Sequence, residues 1–282
     1  ITNCEGTDQV LITVSGGALS ATAGSTDADI CLGETTQLTA SPSGGSGSYT
    51  YSWSSNPNGF TSTSQNPNVS PVVSTTYTVT VNDGFTSVTS SASITVNSLP
   101  TASISGDNII CAGDNTTLTA GGGVSYLWGG GQVIESITVN PASTTTYSVV
   151  VTDANGCDDN ESVSVTVNSL PSAGISSDLT ICNGENTVLT ASRGTSDAWG
   201  GGQTTESITV NPSSNASYSV VVTDANGCTA NATANVTVNA LPVASYIGDV
   251  NLCLGESTSL TASGGISYAW GGGQNTNSIT DN

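Results

Sequence analysis

The sequence predicts an all-β chain of small two-layer sandwiches repeated in tandem. Three observations predict it: a self-similarity with a period of 71 residues, a composition dominated by Ser, Thr, Asn, Gly and Val, and apolar residues that alternate with polar ones between closely spaced turn signals. The period comes first. Asn97-Ser98-Leu99-Pro100, Asn168-Ser169-Leu170-Pro171 and Asn239-Ala240-Leu241-Pro242 recur at that spacing, and eleven residues after each proline stands a cysteine, Cys111, Cys182 and Cys253, in an apolar-Cys-x-Gly-acid turn. Gly17-Ala18-Leu19-Ser20 precedes Cys31 as a degraded copy of the same linker. Cys31 and Cys111 are 80 residues apart, so the first full repeat is nine longer, and the Ser/Gly/Pro-rich stretch over 43–71 houses the excess.

These marks divide the chain into residues 1–16 as the last strand of a preceding repeat, a long repeat over 17–98, repeats over 99–169 and 170–240, and the first part of a further repeat over 241–282. Both ends then fall inside sandwiches, so either the polypeptide continues or a neighbouring subunit supplies the missing strands. Within one repeat, residues 102–110 read as a first strand, 116–120 as a second and 125–128 as a third. A fourth over 136–139 ends at Asn140-Pro141, and 145–152 is a long fifth. Asn155-Gly156 reads as a two-residue type I′ hairpin turn before a returning strand over 161–168.

Charge excludes whole classes of partner. One basic residue, Arg193, stands against 21 acidic ones, a net charge of −20, so binding to nucleic acid or to an anionic membrane is not expected. No segment approaches the roughly 20 apolar residues that span a bilayer. With no His and no Lys, catalytic Ser-His-Asp or Cys-His sets, His metal sites and Schiff-base chemistry are excluded, and the chain is not expected to be an enzyme. Asp153, Asn155, Asp158, Asp159 and Glu161 cluster around one hairpin and are weak candidates for calcium, since hard oxygen donors suit that ion. Their spacing is not that of an EF-hand loop, solvated turn residues are the plainer reading, and no cofactor is otherwise expected.

Trp53, Trp128, Trp199 and Trp270 fall on the third strand of their repeats, where an inward indole anchors a core, and Tyr77, Tyr147 and Tyr218 open the penultimate strand. They resemble the buried Trp and the tyrosine corner of immunoglobulin-like domains. A Trp face beside its Gly-rich loop is the alternative, as a platform for sugars. The order Ile-Cys-x-Gly, Leu-Thr-Ala, Ser-Tyr-x-Trp, Ser-Ile-Thr-Val-Asn-Pro, Thr-Tyr-Ser-Val-Val-Val-Thr-Asp-Ala-Asn-Gly-Cys resembles the Ig-like and PKD-like repeats of giant surface adhesins and filaments of gliding bacteria that use type IX secretion. The resemblance covers nearly the whole chain. It implies tandem immunoglobulin-like β-sandwiches arranged end to end, in an extracellular or cell-surface protein. Two departures stand out: Phe85 occupies the place of Cys157 and Cys228, and Asp197 replaces the Tyr that precedes Trp.

Seven cysteines point to an oxidising compartment. Bridges inside a repeat would join Cys111 to Cys157 and Cys182 to Cys228, but would orphan Cys31, and in an immunoglobulin-like layout those pairs sit at opposite ends of a strand roughly 30 Å long. Bridges between consecutive repeats would join Cys31 to Cys157 and Cys111 to Cys228, and leave Cys4, Cys182 and Cys253 for repeats further along. Sequential neighbours such as Cys4 and Cys31 are a third possibility. The expected function is structural: an extracellular filament or adhesin stalk whose partners are copies of itself. The alternatives are a module that binds surface glycans or proteins, and spacer domains of a larger secreted enzyme.

Overall fold

A computed structural model describes residues 16–192 and 194–281, and among them every regular element is a strand. Cys4 and, up to residue 15, the segment expected as the last strand of a preceding repeat lie outside the described residues. After Val167 the chain divides into two compact units.

The first unit holds two sandwiches. One is built from β1 (Ser20–Ser25), β2 (Asp29–Cys31), β3 (Thr36–Ser43), β4 (Thr50–Asn56), β5 (Thr61–Ser62), β6 (Asn68–Val69), β7 (Thr75–Asn82) and β8 (Ser87–Asn97). Its sheets run β1-β3-β6 and β2-β8-β7-β4-β5. The other comprises β9 (Ser103–Ser105), β10 (Ile109–Cys111), β11 (Thr116–Gly121), β12 (Ser125–Trp128), β13 (Ser136–Val139), β14 (Thr145–Thr152) and β15 (Asp158–Asn168), in sheets β13-β11-β9 and β10-β15-β14-β12. The second unit repeats that plan with β16 (Gly174–Ser176), β17 (Thr180–Cys182), β18 (Thr187–Ser192), β19 (Ser196–Trp199), β20 (Ser207–Val210), β21 (Ala216–Thr223) and β22 (Thr229–Asn239). Its sheets are β16-β18-β20 and β17-β22-β21-β19, followed by a single sheet of β23 (Ser245–Ile247), β24 (Thr258–Ser263) and β25 (Ser278–Asp281). A three-stranded sheet opposite a larger one, with the first strand shared between them and the long hairpin in the larger, is the immunoglobulin-like arrangement.

The structure corrects the sequence reading at three places. The strand expected over 102–110 is two short strands, β9 and β10, on different sheets. The chain crosses at Gly106, whose φ is +129° and where any side chain would overlap the Thr117 carbonyl. The returning strand begins at Asp158, three residues earlier than expected. The turn before it spans Asp153 to Cys157, which close on each other through Asp153 N–H to Cys157 O (2.9 Å), so three residues rather than two lie between the closing pair.

Alternation packs one face and wets the other. Inward positions form three clusters, centred on Leu38, Trp53 and Val79, on Leu118, Trp128 and Val149, and on Leu189, Trp199 and Val220. Each Trp lies opposite its Val across the sheet, at Trp53–Val79, Trp128–Val149 and Trp199–Val220. On the outer face hydroxyls take the role that charges play elsewhere. Thr78 pairs with Ser91 (2.8 Å), Thr119 with Ser136 (2.9 Å) and Thr190 with Ser207 (2.9 Å) across neighbouring strands.

Candidate functional site: a disulfide staple

The feature with the most specific chemistry is Cys31 bonded to Cys157, with an S–S distance of 2.03 Å and 5.5 Å between Cα atoms across 126 residues of sequence. It joins the first sandwich to the second. Each half is built by its own local rules.

Cys31 ends β2, which runs parallel to the end of β8 with Cys31 beside Asn97. The chain is held there by Leu32 N–H to Asn97 O (2.9 Å). It then turns tightly: Glu34 N–H donates to Cys31 O (3.0 Å), Gly33 supplies a φ of +98°, and the Glu34 carboxylate accepts from Cys31 N–H at 2.8 Å. The buried Thr36 hydroxyl donates to Asp27 O (2.8 Å) and ties the strand to the turn that precedes it. This socket explains why an acid stands three residues after the cysteine.

Cys157 is fully buried at the tip of the β14–β15 hairpin. Asp153 shapes that tip: its Oδ1 accepts from Asn155 N–H (2.8 Å) and Cys157 N–H (2.9 Å). The Cys157 amide, then the Asn155 amide, hold the Asp153 carboxyl below its usual range. Gly156 completes the turn at φ +85°. In the third repeat Asp224 binds the amides of Asn226 (2.8 Å) and Cys228 (2.9 Å) in the same way. Cys111 and Cys228 are also disulfide-bonded, and the free thiols among the described residues are Cys182 and Cys253.

The first repeat has the same hairpin one residue shorter. Asp83 N–H donates to Thr86 O (3.1 Å), and Thr86 N–H donates to Asp83 Oδ1 (2.7 Å). Thr86, not Phe85, therefore holds the cysteine's place, and Phe85 projects into solvent at 88% exposure. The Thr86 amide, followed by that of Phe85, lowers the Asp83 pKa.

The calcium candidates are not gathered. Asp153 is occupied by the turn, Asp158 and Asp159 point to opposite faces of β15, and Asp159 Oδ2 accepts from Ala102 N–H at 2.9 Å. Among the described residues no three acidic or thiol groups converge on one point.

Three of the four tryptophans are core anchors. Trp53, Trp128 and Trp199 are buried and donate Nε1–H to the carbonyls of Ser64 (3.0 Å), Ile134 (2.9 Å) and Thr205 (2.9 Å), which leaves no indole face for a sugar. Trp270 makes the same bond to Thr276 O but is half buried. Tyr77 is buried, which raises its phenol pKa, while Tyr147 and Tyr218 are half buried against their clusters. The phenols that latch to upstream backbone are others: Tyr49 to Gly44 O (2.6 Å), Tyr126 to Gly123 O (3.0 Å) and Tyr268 to Gly265 O (2.6 Å). At the equivalent of Tyr126, Asp197 Oδ1 is buried without a partner among the described residues.

No protein-family model matches the chain, and no curated protein matches it. Solved structures similar to it include the I-band fragment I67–I69 from titin, at 14% identity and a TM-score of 0.44, over 81% of this chain and 100% of that one. The N-terminal eight Ig domains of Down Syndrome Cell Adhesion Molecule align at 16% identity and a TM-score of 0.28, over 86% of this chain and 44% of that one. A Ca2+-stabilized adhesin that helps an Antarctic bacterium reach out and bind ice aligns at 15% identity and a TM-score of 0.36, over 89% of this chain and 84% of that one. Among the described residues no helix is long and apolar enough to cross a membrane.

Proposed function

We propose that this chain is a stretch of an extracellular filament or cell-surface adhesin stalk, with a structural and not a catalytic role. The Cys31–Cys157 bond carries the reading. A sandwich of about 70 residues buries little core and is marginal alone, and a covalent tie between one sandwich and the next both stabilises the pair and limits bending between them. A bond between Cys111 and Cys228 would extend the same rule to the next repeat.

The oxidising compartment that such bonds need, the hydroxyl-covered outer faces and the scarcity of Lys and Arg all suit long exposure outside a cell. The partners in this reading are further copies of the same repeat, and the resemblance to repeats of gliding, type-IX-secreting bacteria supplies the expectation of a bacterial surface. Non-reducing peptide mapping tests the staple rule directly. Recovery of Cys111 linked to Cys228 supports it, and recovery of Cys182 linked to Cys228 ends it. Negative-stain images of the native protein test the assembly: long thin particles are expected, and short dispersed ones count against a filament.

A further inference from the structure

The two halves of the staple behave as a socket and a plug, and the socket recurs around a free thiol. Cys182 repeats every element of the Cys31 socket. It ends β17, which runs parallel to β22 with Cys182 beside Asn239, the register that places Cys31 beside Asn97. Asn183 N–H donates to Asn239 O (2.9 Å), Glu185 N–H to Cys182 O (3.0 Å), and Cys182 N–H to the Glu185 carboxylate (2.7 Å). Gly184 takes φ +91°, and the buried Thr187 hydroxyl donates to Asp178 O (3.0 Å). Cys31 in this frame carries a hairpin cysteine, whereas Cys182 is a free, half-buried thiol.

We propose that the Cys182 socket is a docking and crosslinking site for a β-hairpin of the Asp-x-Asn-Gly-Cys type, presented by another Ig-like repeat. The proposal rests on the staple reading above and deepens it by naming the partner. The same socket within this molecule is occupied by such a hairpin, and the capped turn repeats at Asp153 and Asp224, so plug and socket are both standard parts. Cys253 is the internal contrast. It has the Glu256 turn, with Glu256 N–H to Cys253 O at 3.0 Å, but it is exposed and lies in no strand among the described residues.

The crosslink forms by thiol–disulfide exchange. The Cys182 thiolate attacks the sulfur of a hairpin cysteine already capped by glutathione, the new S–S bond replaces the old one, and glutathione leaves as a thiolate that takes up a proton, with no net oxidation. The probe is a backbone-cyclised peptide of residues 147–163, closed between the paired positions Tyr147 and Val163, with its cysteine as the glutathione mixed disulfide. It is offered to the full chain and the products are mapped without reduction.

Capture at Cys182 roughly tenfold faster than of a scrambled cyclic peptide is expected, with Cys182 preferred over Cys253. Glutathione disulfide alone, which needs no docking, should instead favour the exposed Cys253. Equal rates for native and scrambled peptides, or a preference for Cys253 with both, would overturn the proposal. Such a failure leaves the array intact if mapping of the same samples still shows Cys31 with Cys157 and Cys111 with Cys228, whereas loss of those links sinks the staple reading itself.

Discussion

The amide of Cys157 donates to Oδ1 of Asp153 at 2.9 Å, so the sulfur that crosses to the neighbouring repeat is set by a carboxylate four residues upstream. Because these amides hold the Asp153 pKa below its ordinary value, near 3.9 in an unfolded chain, the carboxylate contributes its full stability above that value and loses it as pH falls through the lower folded one. The hairpin should be unchanged from neutral pH to about 5 and loosen below about 4. Two-dimensional NMR of the Cys157 amide against pH should show a titration step in the wild type and none in Asp153→Asn. An unaltered step in the variant would assign the effect to another group.

Removing both staple sulfurs, as Cys31→Ser with Cys157→Ser, leaves neither staple position as an unpaired thiol and isolates the contribution of the bond. A loss of about 2–4 kcal/mol is expected in the first unit, because the crosslink constrains a long stretch of the unfolded chain. Denaturant unfolding, followed by Trp fluorescence, reads it. With reductant present in both samples the wild type and the double variant should coincide, and equal stability of the two without reductant would show that the two sandwiches gain nothing from being joined.

Much of this architecture is legible in the primary structure because it is local. The period, the outward Ser and Thr, and the Trp on a strand in the first three repeats are patterns that a half-buried sheet dictates, whereas Trp270, expected on a strand, lies in none. What escaped is non-local. The split at Gly106 follows from its approach to the Thr117 carbonyl, eleven residues away. The longer turn at Asp153 depends on a side chain capping two amides, which outweighs the Asn-Gly signal for a tighter hairpin. Phe85 stands at the cysteine's place in the sequence pattern, and the paired amides show that the shorter loop moves that role to Thr86. The latch from Tyr126 to Gly123, with its counterpart from Tyr268 to Gly265, shows in the sequence as a recurrent Tyr but not as a bond.

Gly106 provides a sharp test of the strand crossing. Its φ of +129° is open to glycine and nearly closed to other residues, and a methyl group there would overlap the Thr117 carbonyl oxygen. Gly106→Ala should cost about 2–3 kcal/mol, lowering the unfolding midpoint of the first unit. Gly113→Ala, where φ is +94° but no atom lies near the added carbon, should cost less. Equal losses would mean that backbone conformation alone, and not the close approach of β9 to β11, sets the requirement.

Asp197 marks the one repeat in which the tyrosine latch is missing, and it permits a gain of stability. It pairs with Val222 as Tyr126 pairs with Val151, and Thr195 N–H donates to Thr223 O at 2.7 Å as Val124 N–H donates to Thr152 O at 2.8 Å, so the turn is already formed without the phenol. What remains is a buried carboxylate oxygen, Oδ1, with no partner among the described residues. Leaving such an atom unpaired costs more than a neutral hydrogen bond returns. Asp197→Tyr removes that atom and offers a hydroxyl to the carbonyl of Gly194, the counterpart of Gly123. The variant should raise the stability of the third repeat by about 1 kcal/mol, seen as a higher denaturant midpoint with an unchanged slope. A lower midpoint would show that the aspartate is held by a contact that the tyrosine cannot replace.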